Sequence, residues 1–269
     1  MDKLPLVFGI LALGLGLAAR SPSAQPRLEQ GVVDILSPSV PDDPDLAKVI
    51  APLAAEIHAS FGRIIGYAPV ELPNGWPRGL SPLGFLLADV MREEAARTAG
   101  GEVRCAFTNS GGIRRNIPAG PVSIGSIYEA LPFDNELVVA EYTGAEVITI
   151  VKEGIQGKGG EPSSGLRVSV TGTAGQPTVS ITWSDGTPIR PTDLYRVATT
   201  DYLLANGDRT PTLKLGRHGI LTSIPVRQIL IDACERLTKA GKPILAPEGD
   251  RYFFSSDISK AIQARTLKF

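Results

Sequence analysis

Histidine and cysteine are scarce in this 269-residue chain, which holds only His58, His218, Cys105 and Cys234 of the two types. Two His cannot build a His-rich binuclear metal centre, and two Cys cannot supply a four-thiolate zinc site. Most metallohydrolase chemistries are excluded on that ground. An excess of charge is missing as well: 27 Lys plus Arg face 28 Asp plus Glu, a net charge of -1. No broad basic surface is therefore available to gather nucleic acid or an anionic membrane, and an anionic ligand has to be held by a few placed groups. There is no P-loop lysine motif and no dinucleotide fingerprint. Ser110 has no identifiable His-Asp relay, and Cys105 lies in a strand-like segment rather than near a positive helix end.

What is present is enough apolar material, 43% of residues, for a sizeable core in one large or two small domains, since domains run to roughly 100–200 residues. At the N-terminus Lys3 precedes an apolar run over 4–19, followed by Ser21-Pro22-Ser23-Ala24. The run is shorter than the ~20 residues a spanning helix needs and sits where a secretory h-region belongs, so 1–24 reads as a signal peptide and 25–42 as a linker. Export to a periplasmic or extracellular location follows. An uncleaved N-terminal anchor is the alternative, because Pro22 is awkward for cleavage after Ala24 and one Lys makes a thin n-region. Export permits a disulfide, but Cys105 and Cys234 fall in separate predicted elements. A bridge and two buried thiols both remain open.

Beyond the linker, Asp43 and Pro44 open a helix to about residue 60, with Leu46, Ile50, Leu53 and Ile57 at helical spacing and Pro52 as a predicted kink. Residues 63–72 read as a strand, and Ser81-Pro82 opens a helix to about 97. Strands are predicted at 103–108, 137–142, 166–170, 178–183 and 195–199, and helices at 126–131, 144–155 and 224–240. Residues 156–164 and 201–208 read as loop and polar turn, and His218 falls in a basic loop. Helices and strands mix without a regular βαβ beat, which predicts an α+β, or irregular α/β, fold with a mixed sheet and flanking helices over 43–269.

The chemistry-bearing cluster is Asn109-Ser110-Gly111-Gly112-Ile113-Arg114, Leu131-Pro132-Phe133-Asp134-Asn135 and the segment from Tyr202 to Asn206-Gly207-Asp208, with Pro82 to Asp89 upstream. Each piece has a plain structural reading: Phe133 as a core plug, Tyr202 as a helix-start cover, Asp208 as a turn residue, the glycines as a tight turn. In this order and spacing, however, they resemble the C-terminal, substrate-binding domain of the secreted 5'-nucleotidase and UDP-sugar hydrolase family, over about residues 43–240.

That resemblance implies a nucleotide or nucleoside ligand and a role in nucleotide catabolism. Asn109 would bond the base or ribose, and Arg114 would clamp the anionic end. Phe133 and Tyr202 would sandwich the base, and Asp208 would accept from the ribose hydroxyls. Gly165 would let the pocket wall approach the base, and Arg78 would match a second phosphate-directed arginine, one position out of register. The chemistry suits the ligand: base stacking is sequence-tolerant, Arg offers a planar fork to phosphate, and an ionised carboxylate accepts from two hydroxyls. Two departures stand out: Asn206-Gly207-Asp208-Arg209-Thr210 replaces a Gly-Gly-Asp-Gly-Phe turn, and Leu80 and Phe85 replace a Glu and an Asn near Gly84.

The resemblance also implies that hydrolysis belongs to a metallophosphoesterase domain holding two divalent metals, which would precede residue 43. Here only leader and linker stand there. The chain is thus expected to hold no metal or other cofactor, to catalyse nothing alone, and to work with a separately encoded metallophosphoesterase chain that carries the metals. A stand-alone nucleotide-binding or sensing module, and a structural remnant with a drifted pocket, are the alternatives.

Overall fold

The computed structural model describes residues 41–74, 80–247 and 251–269. The chain divides into two compact units, Met1–Ala47 and Lys48–Phe269. The signal-peptide and Arg78 expectations, and the linker before residue 41, lie outside the described residues. Of the first unit, the described part is a cap: the Asp43 carboxylate accepts from the backbone N–H groups of Asp45 and Leu46 at 2.9 and 3.2 Å, satisfying donors that a helix start leaves orphaned.

The elements in chain order are α1 (Pro44–Phe61), β1 (Ile64–Ala68), α2 (Pro82–Thr98), β2 (Cys105–Phe107), β3 (Gly120–Ser123), α3 (Ile124–Ala130), β4 (Glu136–Thr143), α4 (Gly144–Lys158), β5 (Ser163–Ser164), β6 (Leu166–Thr173), β7 (Gln176–Trp183), β8 (Leu194–Thr200), α5 (Asp201–Asn206), β9 (Arg217–Pro225), α6 (Val226–Lys239), β10 (Tyr252–Phe254) and α7 (Ser256–Gln263). The fold is α+β. Three sheets form: β1 with β3, a three-stranded β10-β6-β7, and a five-stranded β5-β2-β8-β4-β9. In the last, β2 and β8 are parallel and the other neighbours antiparallel.

The five-stranded sheet separates two apolar cores, and the alternation of its strands decides which residue serves which. In β4, Leu137 and Val139 join one core while Ala140 and Tyr142 join the other; in β8, Ala198 and Val197 divide the same way. Successive side chains point to opposite faces, so a sheet covered on both sides reads as a continuous apolar run. The first core is filled from α2 and α6 by Leu83, Leu87, Met91, Ile229 and Leu230. The second is filled from α4, β6 and α7 by Val147, Ile150, Leu166 and Ile258, around Trp183.

Caps set the helix starts. Ser81 Oγ accepts from Gly84 N at 3.1 Å at the head of α2. Thr143 and Glu146 form a reciprocal capping box at the head of α4. Several sequence expectations change. The helix over 44–61 passes through Pro52 without interruption, but its apolar stripe Leu46, Ile50, Leu53 and Ile57 is exposed. The predicted strand at 63–72 is shorter, ending at Ala68. The expected turn at 201–208 contains helix α5, and the expected loop holding His218 is β9. Both cysteines are free and buried, and burial pushes the Cys234 thiol up to about 12 and that of Cys105 higher than its usual range.

Candidate functional site

Three strand ends meet at one end of the five-stranded sheet. Parallel β2 and β8 are paired with Cys105 opposite Val197 and Ala106 opposite Ala198, so their carboxyl ends deliver Asn109 and Tyr202 to the same edge. β4 runs against β8, with Leu137 opposite Thr200, and its start brings Phe133 to that edge too. The carboxyl ends of parallel strands are where backbone and side chains are free to converge on a ligand.

The Asn109 wall is firmly held. Thr108 N donates to Pro162 O at 3.0 Å, and Ser110 N donates to the buried Glu161 carboxylate at 2.7 Å. Residues Ser110–Gly112 make one 3-10 turn, in which Gly112 is tight against the site: a Cβ there would lie 3.0 Å from Asn109 Oδ1. Arg114 N donates to Ala130 O, the last residue of α3, at 2.8 Å, tying Arg114 to the start of the Phe133 segment. Its guanidinium lies 5.0 Å from the Phe133 ring centroid.

The Phe133 wall is pinned from behind by Arg227, which donates to Phe133 O at 3.2 Å and pairs with the Asp134 carboxylate. The same guanidinium covers Tyr128 at 4.4 Å, and Val226 N donates to Asn135 O at 2.8 Å. Phe133 itself is 43% exposed, as is Tyr202 at 41%. Two exposed aromatic rings therefore stand at the same end of the sheet.

The third wall follows β8. Thr200 Oγ1 caps α5 by accepting from Leu203 N at 3.1 Å. The Asp201 carboxylate accepts from Tyr202 N at 2.7 Å and from Glu136 N at 3.0 Å, locking α5 onto the start of β4. Gly207 ends the helix at φ 73°, and Asp208 follows at φ 48°, a left-handed pair that turns the chain back toward the pocket. Thr212 then anchors the turn to α4 through the Glu153 carboxylate at 2.8 and 3.1 Å.

These walls enclose a pocket of about 410 Å³ lined by Asn109, Gly111, Gly112, Arg114, Phe133, Asn135, Tyr202, Asp208 and Arg209, within the roughly 300–1,000 Å³ range of small-molecule sites. Asn109 is only 8% exposed, yet its Oδ1 finds no hydrogen-bond partner among the described residues. A buried, unpartnered carbonyl costs about 1–3 kcal/mol, a cost that a ligand donor would remove.

Five of the residues expected from the sequence, Asn109, Arg114, Phe133, Tyr202 and Asp208, line this one pocket. Gly165 does not. It sits at φ 81° with the carbonyl oxygen of Arg104 2.1 Å from where a Cβ would be, so its glycine is required by contact with the backbone beside β2. Asn135 and Arg209 line the pocket beyond the expected set. Asn135 stands in the motif beside Phe133, whereas Arg209 stands at a departure from the motif and carries no signal in the sequence.

Among the described residues no group of three or more His, Cys, Asp or Glu side chains is arranged to hold a metal ion. His58 lies on α1, and His218 in β9 places Nδ1 2.9 Å from the Glu141 carboxylate.

Residues 65–215 match the family model described as "5'-nucleotidase, C-terminal domain". The trifunctional nucleotide phosphoesterase protein YfkN of Bacillus subtilis is 32% identical over 148 residues, 51% of this chain and 10% of that protein. The cell wall protein Lmo0130 of Listeria monocytogenes is 29% identical over 203 residues, 70% of this chain and 26% of that protein. Among solved structures, a 5'-nucleotidase precursor from Thermus thermophilus superposes with a TM-score of 0.65 at 27% identity, over 80% of this chain and 44% of that one. The chain thus spans less than half the length of these relatives. With more than half of its residues matched by that family model, the chain belongs to the 5'-nucleotidase C-terminal domain family.

Proposed function

We propose that this chain is the nucleotide-binding part of an exported 5'-nucleotidase that acts in nucleotide catabolism with a metallophosphoesterase supplied by a separate polypeptide. The observation that carries the reading is the pocket itself: the buried, unpartnered Asn109 Oδ1 stands beside two open aromatic faces, a guanidinium and a carboxylate. Phe133 and Tyr202 take the base between them, Asp208 accepts from the ribose hydroxyls, Asn109 takes a donor of base or ribose, and Arg114 holds the phosphate. The contribution to catalysis is positioning: binding energy on base and sugar holds the phosphate ester against a metal site on the partner. Export is supported by the apolar N-terminal run and by the cell-wall description of the Listeria relative. No helix among the described residues is long and apolar enough to cross a membrane.

The test is to mix the purified chain with a metallophosphoesterase encoded beside it and follow phosphate release from AMP. A rise in release that depends on this chain and is lost with Phe133→Ala is expected. Binding of AMP without any partner-dependent turnover would instead make the chain a nucleotide-binding or sensing module. No binding at all would leave the drifted-pocket reading.

A further inference from the structure

Among the described residues the pocket is lined by two guanidinium groups, Arg114 and Arg209, and one carboxylate, Asp208. Among the described residues neither arginine is ion-paired to a carboxylate. Arg209 is nonetheless held in place. Its stem packs on α4, where a Cβ built on Gly157 would lie 3.4 Å from Arg209 Cβ, and its Nη1 donates to Gly157 O at 3.4 Å. A neutral carbonyl partner orients the group and leaves its full charge uncompensated. The left-handed backbone at Gly207 and Asp208 lets two consecutive side chains, Asp208 and Arg209, both line the pocket.

A nucleoside monophosphate uses one of these cations. Its phosphate goes to Arg114 and its ribose to Asp208, and the second guanidinium then faces the pocket without an anion. Guanidinium groups recognise phosphoryl oxygens through charge-assisted, often bidentate hydrogen bonds. We propose that Arg209 is a specificity-determining residue that makes this pocket select nucleotides carrying a second phosphoryl group over nucleoside monophosphates. This rests on the reading that the pocket takes a nucleotide. The second group sits either on the 5' chain or on the ribose beside Asp208; the recognising chemistry is the same, and the ligands below separate the two.

The experiment is calorimetry on the full chain and on Arg209→Ala and Arg209→Lys, with AMP, ADP and adenosine 3',5'-bisphosphate at one ionic strength. For the unsubstituted chain, ADP or the bisphosphate should bind about tenfold tighter than AMP, the size expected of one charge-assisted contact. Arg209→Ala should bring that ratio to about twofold or less, and Arg209→Lys, which keeps a point charge without the fork, should keep part of it. The ligand whose advantage disappears identifies where the second phosphoryl sits. Arg209 is exposed, so its loss leaves the cores untouched, and a thermal melt checks this. AMP binding with no such preference, or with a preference that survives Arg209→Ala, overturns the inference and leaves the nucleotide reading standing. If none of the three ligands binds the unsubstituted chain, the nucleotide reading fails and the inference falls with it.

Discussion

Two concavities in this domain differ in a way that separates a site from a surface. A groove of about 610 Å³, lined in part by Glu102, Arg104, Glu141, Trp183, Asp193 and Arg196, is the larger. Part of its polar lining is already engaged: Arg104 pairs with Glu102 at 2.6 Å and Asp185 at 3.3 Å and rests on Trp183, and Arg196 donates to the carbonyls of Ala99 and Gly100 at 2.8 Å. Trp183 is itself buried against Tyr195. The pocket at the strand ends is smaller, about 410 Å³, but it sets a buried Asn109 Oδ1, without a hydrogen-bond partner among the described residues, beside the exposed rings of Phe133 and Tyr202. Space does not distinguish the two; a buried acceptor without a partner beside two exposed rings does.

The largest expected effect that would break this contrast is at the aromatic faces. A stacked base gains about 1–3 kcal/mol per face, so Phe133→Ala and Tyr202→Ala should each weaken AMP binding by about 5- to 150-fold, measured by calorimetry. Leu194→Ser, in the groove, should leave the affinity unchanged. An equal loss from the groove substitution would erase the distinction.

A smaller effect sharpens it, because the orphan carbonyl ties stability and binding to opposite signs. Asn109→Ala removes a buried acceptor that has no partner among the described residues, so its melting temperature should stay level or rise. Its AMP affinity should fall by about the worth of one hydrogen bond, roughly 0.5–1.5 kcal/mol. A substitution that destabilises the fold and leaves AMP binding intact would make Asn109 a packing residue.

The smallest effect lies on the groove side of the molecule. Arg217 pairs with Glu146 at 2.7 Å through both nitrogens and stands opposite the groove-lining Glu141 in β4. The hydrogen bonds from Arg217 hold the Glu146 carboxyl down at about 2, below its usual 4.5. A depressed carboxylate stabilises the fold above its unfolded value and stops doing so as the pH falls through its folded one, so this contribution should vanish between about pH 4.5 and 2. For a pair at the surface, with Arg217 42% exposed and Glu146 16%, solvent screening should hold it to less than about 1 kcal/mol. Denaturant melts of Glu146→Gln against the unsubstituted chain across that range should converge as the pH falls; curves that stay parallel would remove the pair from the account. AMP affinity should not follow it.

The pocket is legible in the sequence where residues act through local chemistry. Asn109 to Arg114 and Leu131 to Asn135 are contiguous motifs, and the apolar strands between them leave few ways to bring them together. What stays hidden depends on tertiary context. Helix α5 is six residues of mixed polarity whose start is fixed by Thr200 and by Asp201 contacts to β4, not by periodicity. β9 carries no clean alternation because it is mostly exposed, with irregular register against β4. α7 packs its Ile258 and Ile262 under the second core, and a helix of eight residues near the chain end has too few turns to read. The motif draws Gly165 toward the pocket, although the carbonyl of Arg104 is what excludes a side chain there. Arg209 is invisible to motif reading because it breaks a pattern instead of matching one.

Whether the smaller pocket or the larger groove receives the ligand can be read directly from backbone amide shifts of the labelled domain titrated with AMP. Saturable shifts clustered at Asn109, Gly111, Gly112, Arg114, Phe133, Tyr202 and Asp208, with Trp183, Arg190 and Tyr195 unmoved, are the predicted result. Shifts confined to the groove, or none at saturating AMP, would contradict the assignment of this pocket as a nucleotide site.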